Sequence, residues 1–310
     1  MLIRQLEYFV AVARERHFGR AADACYVSQP ALSTALAKLE RELDLTLINR
    51  GQNFEGLTTE GERLAIWAKR LLADHDGLKA EAAALRSGLT GTLRIGTGPT
   101  VSVPVIGLGA TFCKSHPRAG VKVSTRLSAT ELIDRLRTFE LDGAISHFDR
   151  DDVVGLDPVP LYTEHLVLLV SGRKLASGRR SITWAEAAEL PLILLTSDMQ
   201  FRQVIDKAFA ECGACPQPQV ETDSMALIFS HVATGEWASV VPHTWLSYMP
   251  ATSPARAIRL VKPELTTEIV IVTNPAAPDP VMGTTLLAIA ASRQYAERFA
   301  SYAHRDFSTV

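Results

Sequence analysis

The chain has 310 residues and a formal net charge of −2 at pH 7, with 47% apolar and 21% charged residues. This length allows two or three domains, and the composition is that of a globular protein with a hydrophobic core. The charge balance excludes a protein that coats nucleic acid by charge alone, and the apolar content excludes a largely disordered chain. Four cysteines are too few for a disulfide scaffold, so we expect a reducing, cytoplasmic setting.

Membrane targeting is not expected from this sequence. The amino-terminal residues include Arg4 and Glu7 and contain no apolar core of a signal peptide. No run reaches about 18 uninterrupted apolar residues, the length needed for a membrane-spanning helix. We therefore expect no membrane partner.

The first 57 residues predict three helices followed by a two-stranded wing. Apolar residues at helical spacing define the first helix, namely Leu2, Leu6, Phe9, Val10 and Ala13. The range 18–25 predicts a short second helix, and Ser28 is a good N-cap for a third helix with Pro30 in its first turn. The range 45–57 predicts the wing, with Arg50 near its tip.

The predicted third helix has two different faces. One face is apolar and predicts burial, with Leu32, Leu36, Leu39 and Leu43. The other is small and polar, with Gln29, Ser33, Thr34, Ala37 and Lys38. Such a face can enter a major groove, where Gln, Ser and Thr side chains bond base edges. An ordinary helical bundle has the same spacing, so this pattern alone leaves both interpretations open.

Charge in this region favours binding by more than one copy. Residues 1–57 contain seven Lys and Arg and seven Asp and Glu, so their net charge is zero. One copy would bind DNA phosphates weakly, because salt-dependent affinity scales with the number of phosphates neutralised. Helix N-termini and a second copy would have to compensate.

A long helix is predicted after the wing. Thr58 or Thr59 can cap it, and Thr59 with Glu62 fits a capping box. Leucines then repeat every seven residues, at Leu64, Leu71, Leu78 and Leu85. A helix of about 30 residues spans about 45 Å, and a seam of that length is best buried against a second copy. The alternative is a seam packed on its own domain.

Several segments together resemble the amino-terminal signature of the LysR-type transcriptional regulators. They are Ala21-Ala22, the range 27–33, Leu39-Glu40, Leu47, Arg50 and Leu57-Thr58-x-x-Gly61-Glu62. The remainder of the chain resembles the ligand-sensing domain of that family. Less specifically, the whole string resembles regulators associated with formate dehydrogenase operons.

The resemblance implies a multidomain architecture. It consists of an all-α winged helix-turn-helix domain over 1–58, a linker and dimerisation helix with its hinge over 59–90, and an α/β, two-lobed, periplasmic-binding-protein-like regulatory domain. Lobe I is expected at 91–161 and 268–302, and lobe II at 162–267. The implied partners are double-stranded operator DNA, a small-molecule effector, further copies in a homodimer or homotetramer, and RNA polymerase. The implied function is that of a transcription factor and not of an enzyme.

The resemblance also identifies DNA-contacting positions. Gln29, Pro30 and Ser33 match the groove-facing positions of the family, and Arg50 matches its wing. Thr34 and Asn53 depart from it, because the family often has arginine at both places. The expected DNA-binding set is Arg20, Ser28, Gln29, Pro30, Ser33, Thr34, Lys38, Arg50 and Asn53.

From Thr92 onward, short β-branched runs alternate with helical patterns, which predicts an α/β body with a largely parallel sheet. Four helices in this body follow turns of small polar residues. Helix capping explains each turn alone, but several turns in one cleft favour a ligand site. In the resembled family, these turns line the pocket between the lobes. The expected effector-binding set is Thr100, Val101, Ser102, Ser128, Ala129, His147, Gln200, Phe201 and Ser224.

The predicted effector is small and polar, a short carboxylate or another anion, since few bulky aromatic residues lie near these turns. His147 follows a strand, where it could bond a carboxylate or be satisfied by local backbone. Arg126 and Arg202 could pair with an acid or be surface charges.

Other chemistries are not supported by the sequence. Gly96 and Gly98 suggest a dinucleotide-binding turn, but the third glycine would fall at Val101, so no cofactor is expected. Cys212 and Cys215 form an isolated Cys-x-x-Cys, with Gly213 as a helix C′ residue, and no metal is expected. Two alternatives remain open. One is a thiol-switched regulator, and the other is a two-lobed solute-binding or enzymatic protein without DNA binding.

Overall fold

A computed structural model describes residues 1–50, 54–171, 179–249, 253–277, 280–292 and 295. The amino-terminal part contains α1 (Ile3–Glu15), α2 (Phe18–Ala24), α3 (Gln29–Leu43), β1 (Ile48–Arg50), β2 (Phe54–Leu57) and α4 (Thr59–Ser87). The following α/β part begins with β3 (Gly91–Thr97), α5 (Ser102–Ser115), β4 (Ala119–Ser124), α6 (Ala129–Arg137) and β5 (Gly143–Ser146). It continues with β6 (Asp157–Ser171), β7 (Ser181–Thr183), α7 (Trp184–Ala188), β8 (Ile193–Leu195), α8 (Gln200–Glu211) and β9 (Val220–Thr222). The last elements are α9 (Met225–Thr234), β10 (Ala238–Pro242), a 3-10 helix (His243–Tyr248), β11 (Ala255–Val261), β12 (Thr266–Thr273) and α10 (Pro280–Ala290).

The three helices and the wing predicted at the amino terminus are confirmed. Leu32, Leu36 and Leu39 of α3 are buried in one core with residues of α1 and α2. The hydroxyl oxygen of Ser28 caps α3 by accepting a hydrogen bond from the Ala31 amide at 3.4 Å. Strands β1 and β2 pair antiparallel and form the wing.

The start of α4 is fixed against the wing by Thr58. Its hydroxyl accepts a hydrogen bond from the Gly61 amide at 2.9 Å and donates one to the Thr46 carbonyl at 2.7 Å. The capping box predicted for Thr59 and Glu62 is therefore wrong, because Thr59 already lies inside the helix. Gly61 lets the helix approach the wing closely, since a Cβ there would lie 2.0 Å from the Leu47 carbonyl oxygen.

The leucine row of α4 is only partly covered by its own chain. Leu64 packs on the core of the winged domain, whereas Leu71 and Leu78 are 40% and 71% exposed. The side chain of Leu85 lies outside the described residues. One ion pair joins the helix to the α/β part, from Lys69 Nζ to Glu140 Oε1 at 2.9 Å. Contacts within one chain therefore leave Leu71 and Leu78 as an exposed apolar stretch of α4.

The main sheet is mixed, which corrects the prediction of a largely parallel one. Its strand order is β4-β3-β5-β12-β6-β11-β7, with β10 also paired to β6. The pairs β3–β4 and β3–β5 are parallel, but β12 runs antiparallel to both β5 and β6. The reason is that β6 leads out of the first half of the domain and β12 leads back, so these neighbours must run in opposite directions.

Strand β6 connects the two halves of the regulatory part. Residues 157–165 pair with β12, residues 166–170 pair with β10, and residues 167–171 pair with β11. Separate hydrophobic cores lie beside each portion. The lobe boundaries predicted at 161/162 and 267/268 fall within β6 and β12 and remain a proposal. Among the described helices, none is long and apolar enough to cross a bilayer.

Candidate effector cleft and DNA-binding surface

A cavity of about 350 Å³ lies between the two halves of the regulatory part. One wall comes from the turns after β3 and β4 and from the end of β5. The opposite wall comes from the start of α8 and from the turn before α9. Glu164 of β6 and Ile269 of β12 lie on the strands that join the two walls. The site is thus a cleft at the junction of the halves, where ligand pockets commonly occur.

Six of the predicted effector residues line this cleft, namely Thr100, Val101, Ser128, His147, Gln200 and Phe201. Ser102 and Ala129 are the first residues of α5 and α6, and neither is part of the cavity wall. Ser224 caps α9 by accepting a hydrogen bond from the Leu227 amide at 3.5 Å, and the preceding Asp223 lines the cleft instead.

The hydroxyl of Ser128 is largely engaged in capping α6. It accepts from the Glu131 amide at 3.2 Å and donates to Glu131 Oε2 at 2.9 Å. The Ser128 amide also donates to Glu131 Oε2, at 2.9 Å. This amide bond and, after it, the hydroxyl bond hold the pKa of the Glu131 carboxyl below its usual value. Ser128 therefore positions the turn as well as lining the cleft.

Thr100 lies where the two walls meet. It is buried, and its carbonyl accepts a hydrogen bond from Trp245 Nε1 of the 3-10 helix at 2.6 Å. Below it, the Thr97 hydroxyl donates to the Val101 carbonyl at 2.9 Å. These bonds fix the turn between β3 and α5 and leave its surface facing the cavity.

His147 lies near two groups of its own chain, and its bond to an effector carboxylate stays a prediction. Its Nδ1 lies 3.4 Å from the Glu268 carbonyl oxygen, and its Nε2 lies 3.8 Å from Asp149 Oδ1. The ring also lines the cleft and is half-buried. A strand end at the sheet edge explains this position.

The sequence left the role of Arg126 open and did not identify Glu164. Arg126 forms an ion pair with Asp223 across the cleft. Its backbone has φ 65°, which turns the chain sharply after β4. No periodicity signals such a pair, because Arg126 and Asp223 are 97 positions apart.

Glu164 is the most buried acid of the cleft. It is 3% exposed, and its Oε1 accepts hydrogen bonds from the Tyr162 hydroxyl at 2.9 Å and the Thr244 hydroxyl at 3.2 Å. Burial raises the pKa of Glu164 to about 7. The only available signal was the alternation of a strand, which places Tyr162 and Glu164 on one face.

Arg202 is a structural cation outside the cavity wall. Its guanidinium lies 2.7 Å from Asp206 Oδ1 and 2.5 Å from Glu221 Oε1, and it donates to the Leu195 carbonyl at 2.5 Å. The sequence allowed Arg202 to pair with an acid or to be a surface charge, and the structure shows that it pairs with two acids of its own chain. These bonds join α8 to β8 and β9.

The cysteines lie apart from the cleft. The Sγ of Cys212 lies 3.2 Å from the Lys262 carbonyl oxygen, and Cys215 is exposed. Gly213 has φ 72°, which confirms it as the C′ residue of α8. None of the described residues around the cavity is a cysteine. In the described part of the chain, no cluster of three or more acidic, His or Cys side chains is arranged to hold a metal ion.

The predicted DNA-reading face of α3 is open. Gln29, Pro30, Thr34 and Lys38 are exposed, as are Ser28 and Arg20, and Ser33 is half-buried. Asn53 and the side chain of Arg50 lie outside the described residues. Tyr26 in the turn before α3 is 96% exposed with φ 55°.

Local bonds shape this face. The Thr34 hydroxyl donates to the Pro30 carbonyl at 2.9 Å, and the Arg20 guanidinium donates to the Glu15 carbonyl at 2.6 Å. Lys38 Nζ lies 4.0 Å from Glu42, which is a weak exposed pair. Gln29 and Lys38 are both exposed, and the Lys38 ammonium stays available for phosphate.

An exposed polar helix beside a wing, a long helix and a two-lobed domain with a cleft define the class of ligand-sensing DNA-binding regulators. Residues 3–62 match the family of bacterial regulatory helix-turn-helix proteins of the lysR type. Residues 86–293 match the LysR substrate binding domain. The chain therefore belongs to the LysR family of DNA-binding transcriptional regulators.

Several relatives are named for their response to hydrogen peroxide. The chain is 34% identical over 244 residues to a probable hydrogen peroxide-inducible genes activator of Streptomyces viridosporus, covering 78% of each chain. It is 28% identical over 281 residues to the DNA-binding transcriptional dual regulator OxyR of Escherichia coli (strain K12), covering 90% of this chain and 91% of OxyR. The structure of a full-length OxyR variant from Pseudomonas aeruginosa superposes with a TM-score of 0.72 at 27% identity, covering 94% of both chains. These relatives are transcriptional regulators and not enzymes.

Proposed function

We propose that this regulator binds operator DNA as a dimer or a dimer of dimers in the cytoplasm, and that a small polar effector in the interlobe cleft changes its DNA binding or DNA bending. One observation carries the proposal. A single chain joins the open polar face of α3 to a cavity that both halves of the sensing domain line. Contact with RNA polymerase belongs to the same proposal.

Dimerisation is supported by the charge of the winged domain and by α4. A domain of zero net charge gains few phosphate contacts per copy. Leu71 and Leu78 offer an apolar surface on the helix that follows it. Two copies held by α4 would present two α3 helices to successive major grooves.

The effector is proposed to bind reversibly and not to act through a thiol in the cleft. The relatives are named for induction by hydrogen peroxide. Sensing of peroxide through a cysteine requires a reactive thiolate. The described cavity wall contains no cysteine, and the Sγ of Cys212 lies instead 3.2 Å from the Lys262 carbonyl oxygen.

The chemical class of the effector is the finer part of the proposal. Arg126 and the amino end of α6 support the anion that the sequence favoured. Four carboxylates in the same wall oppose it, namely Glu131, Glu164, Asp198 and Asp223. The narrower likeness to regulators of formate dehydrogenase operons also stays a prediction, and mapping the genomic binding sites of the protein tests it.

DNA binding is tested with a duplex selected from random sequence by the purified protein. Replacing both Gln29 and Arg50 with Ala is expected to abolish the gel shift while the melting temperature stays unchanged. Lys38→Ala is expected to reduce the slope of log K against log salt concentration by about 1, since one phosphate contact is lost. Lys114→Ala is the matched control, because Lys114 is an exposed lysine of α5, away from the winged domain.

An unchanged gel shift in the double variant would contradict the roles of Gln29 and Arg50. A wild type that shifts no duplex would instead support the alternative, a two-lobed solute-binding or enzymatic protein without DNA binding. That alternative is not favoured, because the winged domain matches the family over residues 3–62. A thiol-switched regulator is tested by Cys212→Ser with Cys215→Ser, for which we expect normal induction.

A further inference from the structure

Glu164 has unused hydrogen-bonding capacity toward the cleft. Both of its described hydrogen bonds reach Oε1, from Tyr162 and from Thr244. No donor in the described part of the chain bonds its Oε2, although the residue belongs to the cavity wall. A carboxylate that is 3% exposed loses most of its hydration, and a cationic partner would compensate that loss.

The other charges of the wall do not supply this cation. Arg126 is already paired with Asp223, and the Glu131 carboxylate is bonded by Ser128. Asp198 is exposed at the same cleft and makes no described ion pair. Four carboxylates of the described wall outnumber the Arg126 guanidinium, and such an excess of negative charge concentrates small cations.

We propose that the effector carries a protonated nitrogen, in an ammonium, amidinium or guanidinium group, that donates hydrogen bonds to Glu164. This inference rests on the proposed function, because it names the effector class for the same cleft. Val101, Leu127, Phe201 and Ile269 give the wall an apolar part that would hold the carbon skeleton. The short carboxylate favoured by the sequence would place a second negative charge beside Glu164.

Protonation of Glu164 predicts that the affinity for a cationic effector depends on pH. The titratable and charged groups that line the same cavity or contact Tyr162 and His165 are Tyr162, His165, His243, Arg126, Glu131, His147, Asp198 and Asp223. Burial lowers the pKa of His243 to about 4, so this ring is neutral near pH 7. The pKa of Glu164 is raised to about 7, so a cation must displace its proton. Affinity for a cation should then rise about tenfold from about pH 6 to about pH 8.

Three probes of similar shape separate the classes, namely benzamidinium, benzamide and benzoate. Their dissociation constants are measured by titration calorimetry on the full chain. Benzamidinium should bind the wild type at least about tenfold more tightly than the other two, a difference of about 1.4 kcal/mol. Glu164→Gln should remove this preference and its pH dependence, whereas Glu164→Asp should keep the preference.

Asp198→Asn is the matched control, because it removes an acid from the same cleft without burial. It should weaken benzamidinium binding by less than about threefold, as expected for a solvated charge. The melting temperature of each variant reports whether it folds, and Glu164→Asp keeps the test valid if Glu164→Gln is unstable.

Three results would overturn the inference. They are tighter binding of benzoate than of benzamidinium, equal losses in Asp198→Asn and Glu164→Gln, and no benzamidinium binding at about 10 mM. The selected DNA duplex is titrated in parallel without probes. Intact DNA binding with any of these results rejects the cationic class alone, whereas a wild type that binds no duplex rejects the proposed function.

Discussion

Arg126 and Asp223 form an ion pair that spans the cleft. Arg126 follows β4 on one wall, and Asp223 follows β9 on the other. Their side chains are 64% and 50% exposed, so solvent screens the pair and its contribution to stability is under about 1 kcal/mol. Its significance lies in its position, because it joins the two walls and occupies the guanidinium that an anionic ligand would need.

Removing Asp223 should therefore change ligand preference more than stability. In Asp223→Asn, Arg126 loses its acidic partner and the cleft loses one negative charge. The ratio of benzoate to benzamidinium affinity should rise at least about threefold by calorimetry, an effect of about 0.7 kcal/mol. Glu264→Gln is the control, since it breaks an exposed pair with Arg259 that is not part of the described cavity wall. An equal ratio in both variants would contradict the assigned role of Arg126.

The pH dependence of stability should report Glu164 and His243 separately. The pKa of Glu164 rises from 4.5 to about 7 on folding, so its stabilisation is complete below pH 4.5 and is lost as pH rises to 7. The pKa of His243 falls from 6.5 to about 4, so its effect has the opposite sign and stability is lost as pH falls through this range. Between these limits the two slopes oppose each other in the wild type.

In Glu164→Gln, His243 still contributes to the pH dependence of stability and Glu164 no longer does. Relative to the wild type, its free energy of unfolding should rise between about pH 5 and about pH 6.5, by up to about 1.4 kcal/mol per pH unit. Urea unfolding at several pH values measures both curves. Parallel curves for the two proteins would show that Glu164 does not titrate in this range.

Arg202 should be a large contributor to the stability of the second half of the regulatory domain. It is buried and joins Asp206, Glu221 and the Leu195 carbonyl. Arg202→Met should lower the free energy of unfolding by about 2–4 kcal/mol, since two acids lose their cation but can still reach water. Arg259→Met, in an exposed pair, should cost under about 1 kcal/mol. Similar losses for the two variants in urea unfolding would exclude this role.

Local signals predicted the winged domain well. The leucine face of α3, the Ser28 cap and the wing follow from periodicity and capping, which act over a few residues. The single error at α4 was a choice between two adjacent threonines. Thr58 caps the helix because its hydroxyl also bonds the Thr46 carbonyl, a contact that depends on tertiary packing.

The cleft was predictable in part. Thr100 and Ser128 stand in turns before helices and Gln200 begins a helix, and all three line the cleft. Glu164 was not predictable, because its burial depends on Thr244 of a distant 3-10 helix. The mixed sheet was missed for a similar reason, since β-branched runs indicate strands without giving the direction of their neighbours.

The central claim is that α3 reads DNA tightly because α4 joins two copies. The most direct measurement is light scattering with DNA titration on the wild type and on Leu71→Glu with Leu78→Glu, with Leu227→Glu on α9 as an exposed-leucine control. We predict a dimer or larger assembly for the wild type and the control. The double variant should be monomeric and bind the selected duplex at least about a hundredfold more weakly, because the second α3 is lost. A monomeric variant that binds the duplex as tightly as the wild type would contradict the account.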